Sequence, residues 1–98
     1  MKDLISGLNK VFESRIRLGI MSVLMVNDSF DFISLKESLS VTDGNLASHL
    51  RSLEDKGLIK AKKQFIGRKP NTSYKITEKG IYLFKEHLNA LENLIKTQ

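Results

Sequence analysis

Leu46, Leu50 and Leu53 recur at spacings of four and three, while the opposite side of the same stretch is small and polar: Gly44, Asn45, Ala47, Ser48, His49 and Ser52. This periodicity predicts a helix that buries one face and leaves the other smooth and hydrophilic. Its ends are marked. Thr42 is a candidate N-cap. Gly57 suits the left-handed position after a helix, and Leu58 beyond it can fold back on Leu53 in a Schellman closure. The helix is therefore placed at 43–56.

The segment behind that helix is unusual in charge. Residues 56–75 hold seven basic residues and no acid, whereas residues 1–55 hold six basic and eight acidic residues and 76–98 hold three of each. The net charge of +5 thus sits in one segment directly behind the polar-faced helix. Within it, Ile59, Ala61 and Phe65 alternate with polar residues, and Tyr74 and Ile76 share a face further on. Two strands are expected, joined through the turn-rich run 66–72, which contains Gly67, Arg68, Lys69 and Pro70. The pair reads as a β-hairpin with a long basic tip.

The remaining elements are helical. Leu4, Leu8 and Val11 or Phe12 form a short stripe, and Ile16, Ile20, Val23 and Leu24 continue it after a candidate cap at Ser14. Met21, Met25 and His87 read as packing residues. Phe30–Ile33 alternates as a short strand. Ser34 and Glu37 have the spacing of a capping box that opens a short helix over Leu35–Leu39. Thr77 caps a last helix, about 78–96, whose stripe of Ile81, Phe84, Leu88, Leu91 and Ile95 is widened by Leu83 and Leu94. The fold class expected is mainly α with a small hairpin, a winged helix-turn-helix in the order α-α-β-α-α-β-β-α with a long C-terminal helix. At 98 residues this is a single domain, 1–98.

A helix enters the major groove only if its outward face is polar and unobstructed. On helix 43–56, Asn45, Ser48 and His49 are placed to meet base edges. Thr42, Lys36 and Arg51 are placed on phosphates, Thr42 because helix N-termini favour anions. On the hairpin, Arg68 suits a narrow minor groove. Lys62, Lys63 and Lys69 suit phosphates, whose neutralisation releases counterions and supplies affinity for any sequence. No paired carboxylates, nucleophile–base set or phosphate-cradling glycine loop is present, so no enzyme and no cofactor are expected. There is no cysteine, which excludes disulfides and thiolate metal sites within the chain. The most apolar run, Ile20–Val26, is far shorter than the roughly 20 residues of a membrane span, and the N-terminus lacks a signal-peptide pattern. The chain is read as cytoplasmic.

The stretch from Thr42 to Ile59, followed by Gly67-Arg68-Lys69-Pro70 and by Tyr74-Lys75-Ile76-Thr77-Glu78-Lys79-Gly80, resembles the short stand-alone branch of the ArsR/MarR-like winged-helix regulators. Ile76 stands where leucine is common at the start of the last helix. The resemblance covers roughly residues 8–95. It implies a homodimeric, sequence-specific binder of duplex DNA acting in transcription, here read as a repressor, with terminal helices at about 1–12 and 78–96 forming the dimer. Leu4, Leu8, Leu88, Leu91 and Ile95 are the interface residues expected. The only histidines are His49 and His87, so the metal clusters of ArsR-type sensors have no counterpart. The long dimerisation region that forms MarR-type ligand pockets is largely missing, and no small-molecule effector is assigned. The alternative function is a winged module for protein–protein docking, against which the basic segment argues.

Overall fold

The structure, a computed structural model, describes residues 3–96. After a 3-10 turn at Lys10–Phe12 come α1 (Arg15–Met25), β1 (Phe30–Asp31), α2 (Phe32–Leu39), α3 (Asp43–Asp55), β2 (Ile59–Ile66), β3 (Lys69–Ile76) and α4 (Glu78–Lys96). The strands form one antiparallel sheet in the order β1-β3-β2, with Phe30 opposite Tyr74 and Ile59 opposite Ile76. This is the winged helix-turn-helix architecture expected.

The core is assembled from one side of each element. Ile20, Met21 and Leu24 of α1, Leu35 of α2, the three leucines of α3, Leu58 of the following turn, Ile59 and Ile76 of the sheet and Phe84 of α4 are all buried together. Met25, by contrast, is only half-buried. Local signals set the boundaries. Ser14 accepts from Arg17 N–H to start α1, and Thr42 accepts from Asn45 N–H to start α3. At the far end of α3, Gly57 has φ +74°, Gly57 N–H donates to Glu54 O, and Leu58 N–H reaches Leu53 O at 3.0 Å. That is the Schellman pattern anticipated.

Four expectations are corrected. The N-terminal stripe is not a helix: residues 4–7 form turns and only Lys10–Phe12 is helical, as a 3-10 turn. Asn9 caps that turn through Val11 N–H and donates its own N–H to Nδ1 of buried His87, while Phe12 packs edge-on against Phe84 at 5.1 Å. Tertiary anchoring to α4, rather than helical repetition, organises this segment. The part of the expected N-terminal helix at residues 1–2 lies outside the described residues.

The cap of α2 is Asp31, not Ser34. The Asp31 carboxylate accepts from Ser34 N–H at 2.6 Å, so the helix starts at Phe32 and the strand shrinks to Phe30–Asp31. That hydrogen bond, and a second to the Ser34 side chain, hold the Asp31 carboxyl below the usual carboxylate range against a smaller opposing effect of burial.

The hairpin is longer and tighter than its sequence suggests. Ile66 pairs with Lys69 around a two-residue turn, Gly67-Arg68, with Gly67 at φ +65°. A glycine at the first central position is the signature of a type II′ hairpin turn. Pro70 lies inside β3, opposite Phe65. Alternation of the ladder puts that pair where neither N–H faces the partner strand, and β1 reaches only Ser73, so the missing N–H costs no bond. The fourth correction is Phe65, expected on the buried face: it is 73% exposed because the hairpin runs past the core.

One close approach locks α4 to the sheet. A Cβ on Gly80 would fall well inside contact with the Leu58 carbonyl oxygen and 2.9 Å from Ile76 Cγ1. Thr77 caps α4 as expected, accepting from Gly80 N–H, and its hydroxyl also donates to Gly57 O at 2.7 Å.

Candidate nucleic-acid interface

The face of α3 away from the core is open. Gly44, Asn45, Ala47, Ser48 and Arg51 are exposed, and nothing lies within 4 Å of where a Gly44 Cβ would be. At about 100° per residue, Ser48 stands nearly opposite the leucine stripe, and Arg51 lies closer to that midline than His49 does. Arg51, expected on phosphates, therefore sits near the centre of the outward face. Asn45 and Ser48 carry no hydrogen bond from their side chains to other described residues, which leaves their polar atoms free for an incoming ligand.

His49 is placed differently. It is half-buried on the α1 side of α3, and its Nδ1 accepts from Arg17 Nε at 3.0 Å. Burial first, and the Arg17 charge second, push the His49 imidazole below the usual histidine range. Sequence reasoning missed Arg17 altogether. The two residues are 32 positions apart on different helices, and no local pattern links them.

The N-terminal end of α3 carries mixed charge. Lys36 on α2 reaches across the interhelical turn to Asp43 at 2.8 Å, with the Lys36 side chain partly and the Asp43 side chain largely solvated. Such a surface pair contributes at most about 1 kcal/mol. Its consequence is electrostatic: the Asp43 carboxylate beside the helix start is neutralised by the lysine expected to meet phosphate. Thr42 is exposed, and its hydroxyl oxygen serves as the cap. The turn itself, Ser40-Val41, holds Ser40 in the left-handed region at φ 53°.

Behind α3 the hairpin projects its charges. Lys62, Lys63, Arg68 and Lys69 are all exposed, as are Lys60 and Lys75, which stand directly opposite one another. Side by side, like charges on facing strands are unfavourable, so the base of the hairpin carries an electrostatic cost. Ile66 is 61% exposed beside the turn. Among the described residues, no group of three or more His, Cys, Asp or Glu is placed to hold a metal ion, and no helix is long and apolar enough to cross a membrane.

Residues 16–95 match the family described as the winged helix DNA-binding domain. The chain belongs to that family. This winged-helix domain is 39% identical over 87 residues to an uncharacterized protein of Methanocaldococcus jannaschii, covering 89% of this chain and 95% of that one. It is also similar to the structure of a transcriptional regulator homologue from Pyrococcus horikoshii, with a TM-score of 0.84, 33% identity, and coverage of 96% of this chain and 91% of that one. The transcriptional regulator BldR of Sulfolobus solfataricus shares the fold at a TM-score of 0.72 and 20% identity, over 96% of this chain and 69% of its own. A winged helix DNA-binding domain is a binding fold and not an enzyme. Within this fold, α2 and α3 are the helix-turn-helix and β2–β3 is the wing.

Proposed function

We propose that this protein is a transcriptional regulator of the ArsR/MarR-like kind, a repressor that reads duplex DNA as a homodimer in the cytoplasm. The observation that carries the reading is the outward face of α3, small and polar over a buried leucine stripe, succeeded within three residues by a lysine-rich wing. Asn45 and Ser48 read base edges in the major groove, with His49 at the margin of the same face. Thr42, Lys36, Arg51, Lys62 and Lys69 meet phosphates, and Arg68 at the wing tip enters the minor groove.

Dimerisation is supported by apolar surface left uncovered at the ends of the chain. Ile95 is 77% exposed, Leu4 48% and Leu88 40%, with half-buried Leu8 and Leu91 beside them. The radius of gyration is 15.0 Å, against about 13 Å for a compact domain of this size, so part of the chain stands off the core. A twofold pair would set two α3 helices about 34 Å apart, one turn of DNA. Exposed Phe65 and Ile66 at the wing favour the second reading, a protein-docking module.

Selection of bound sites from random duplex DNA tests both readings. A defined, pseudo-palindromic site is expected. Asn45→Ala should relax preference at one position at a cost of roughly 1–3 kcal/mol. Arg68→Ala should weaken binding to many sequences alike. Absence of any enriched site, together with a flat salt response, would leave protein docking as the function.

A further inference from the structure

The bond between Arg17 and His49 has a chemical consequence for what α3 can read. A guanidinium is always charged and only donates. With Arg17 Nε donating at 3.0 Å, His49 Nδ1 must be the acceptor, so the ring proton of the neutral imidazole belongs to Nε2. A second proton would sit on Nδ1, where it would meet an N–H and a full positive charge. Arg17 is itself held in place. Its backbone N–H is the one capped by Ser14 in the first turn of α1, and its Nη1 lies 3.5 Å from Val11 O. His49 Nε2 has no partner among the described residues, and none of their unpartnered polar side-chain atoms is buried; Nε2 therefore reaches solvent. His49 also lies one helical turn beyond Asn45, on neighbouring ground of the same face.

We propose that Arg17 is a positioning residue for DNA recognition: it fixes His49 as the Nε2–H tautomer, so that His49 presents the duplex with one hydrogen-bond donor and no charge. This rests on the proposed docking of α3 in the major groove. An unconstrained histidine can donate or accept by exchanging tautomers, and can bind phosphate as a cation. His49 held by Arg17 does neither. Its partner on DNA is an acceptor, either a base-edge acceptor in the major groove (guanine O6 or N7, adenine N7 or thymine O4) or a phosphate oxygen, and the amino groups of adenine and cytosine are refused. The lowered proton affinity of the ring agrees with this.

The test begins on the wild-type chain with long-range proton–nitrogen correlation spectra of the histidine rings, near neutral pH. His49 should show a protonated Nε2 and an unprotonated Nδ1; the opposite tautomer, or an equal mixture, overturns the proposal. Arg17→Met keeps the aliphatic stem and removes the donor. It should shift His49 towards a tautomer mixture and lose roughly two- to tenfold in DNA affinity, the range of one neutral hydrogen bond. Arg17→Lys, which retains a donor, should restore part of both. Loss confined to sites with one particular acceptor-bearing base at one position identifies a base acceptor, and equal loss on every sequence identifies a phosphate; either supports the assignment. If folded Arg17→Met keeps full affinity and an unchanged site preference, Arg17 has no positioning role. If the wild type shows the expected tautomer but binds no duplex, the DNA-reading function fails, and this assignment fails with it.

Discussion

Gly80→Ala should be among the most destabilising single-methyl additions available to this chain. The added Cβ would lie 2.9 Å from Ile76 Cγ1 and 3.1 Å from the Leu58 carbonyl carbon, where ordinary contacts are about 3.5–4 Å. The Ile76 side chain can turn, but the Leu58 backbone cannot, because its N–H closes α3 on Leu53 and its carbonyl accepts from Thr77 N–H. The first turn of α4 must therefore withdraw by about 1 Å. That stretches three bonds spanning the same gap: Thr77 N–H to Leu58 O, Thr77 Oγ1 to Gly57 O and Lys79 Nζ to Lys56 O. Overpacking costs roughly 1–3 kcal/mol, and each weakened bond up to about 1 kcal/mol. Alanine's better helix propensity returns at most about 1 kcal/mol. The net loss is roughly 2–4 kcal/mol, a fall in Tm of roughly 10–25 °C for a domain this size. Thermal melts monitored by circular dichroism at fixed protein concentration measure it. Gly44→Ala is the matched control. Its Cβ meets open space, so Tm should hold or rise slightly while DNA affinity falls, because the methyl stands on the groove-facing surface. A Gly80→Ala melt within a few degrees of wild type would show that α4 does not dock through that glycine.

Asp31→Ala removes the true cap of α2 and should cost about 1 kcal/mol, whereas Ser34→Ala should cost much less; equal effects in urea unfolding would return the cap to Ser34. Ser40→Gly should stabilise by about 1 kcal/mol, because glycine tolerates the left-handed turn between α2 and α3, and an unchanged or lower Cm would count against strain there. The His49 imidazole, facing the Arg17 charge from α1, has a folded-state pKa below its unfolded value of 6.5. Between those two values the unfolded chain binds the extra proton, so stability is full above about pH 6.5 and declines as pH falls towards the folded pKa. Tm measured against pH should drop more steeply for wild type than for His49→Gln, and parallel curves would remove the effect. In the proposed homodimer, Ile95→Glu, at a site 77% exposed in the single chain, should leave the monomer fold intact and halve the mass seen by sedimentation; an unchanged mass would count against dimerisation through this face.

What could be seen in the sequence was set by short-range chemistry. The caps at Ser14, Thr42 and Thr77 and the closure at Gly57 depend on hydrogen bonds spanning three to five residues, and the leucines of α3 repeat within one helix. The same windows misled where two local solutions competed. Asp31 and Ser34 are both good caps, and pairing of Asp31 with Ser73 decides between them. Pro70 and its polar neighbours look like a loop, yet the chain turns two residues earlier at Gly67-Arg68, and proline is tolerated because no strand lies on the side its N–H would face. Leu4 and Leu8 have helical spacing, but Gly7 brings the segment so close to Ala90 that a Cβ would stand 3.1 Å away. Contact with α4 outweighs the local pattern there.

The long-range contacts illegible in the sequence also converge on the element that matters most for recognition. Arg17 grips α3 from α1 through His49, while Thr77 and Lys79 at the start of α4 hold the carbonyls of Gly57 and Lys56 at its end. A helix fixed at its flank and at its end presents its side chains in one orientation, and base readout depends on such positioning as much as on the contacting residues. Substitutions at Thr77 or Lys79 should therefore alter which sequences are preferred without either of them touching a base. Substitutions at exposed wing lysines should instead change affinity for all sequences together. If both classes of variant scaled affinity uniformly across a library of sites, α3 would not be acting as a preorganised reader, and specificity would have to come from DNA shape at the wing.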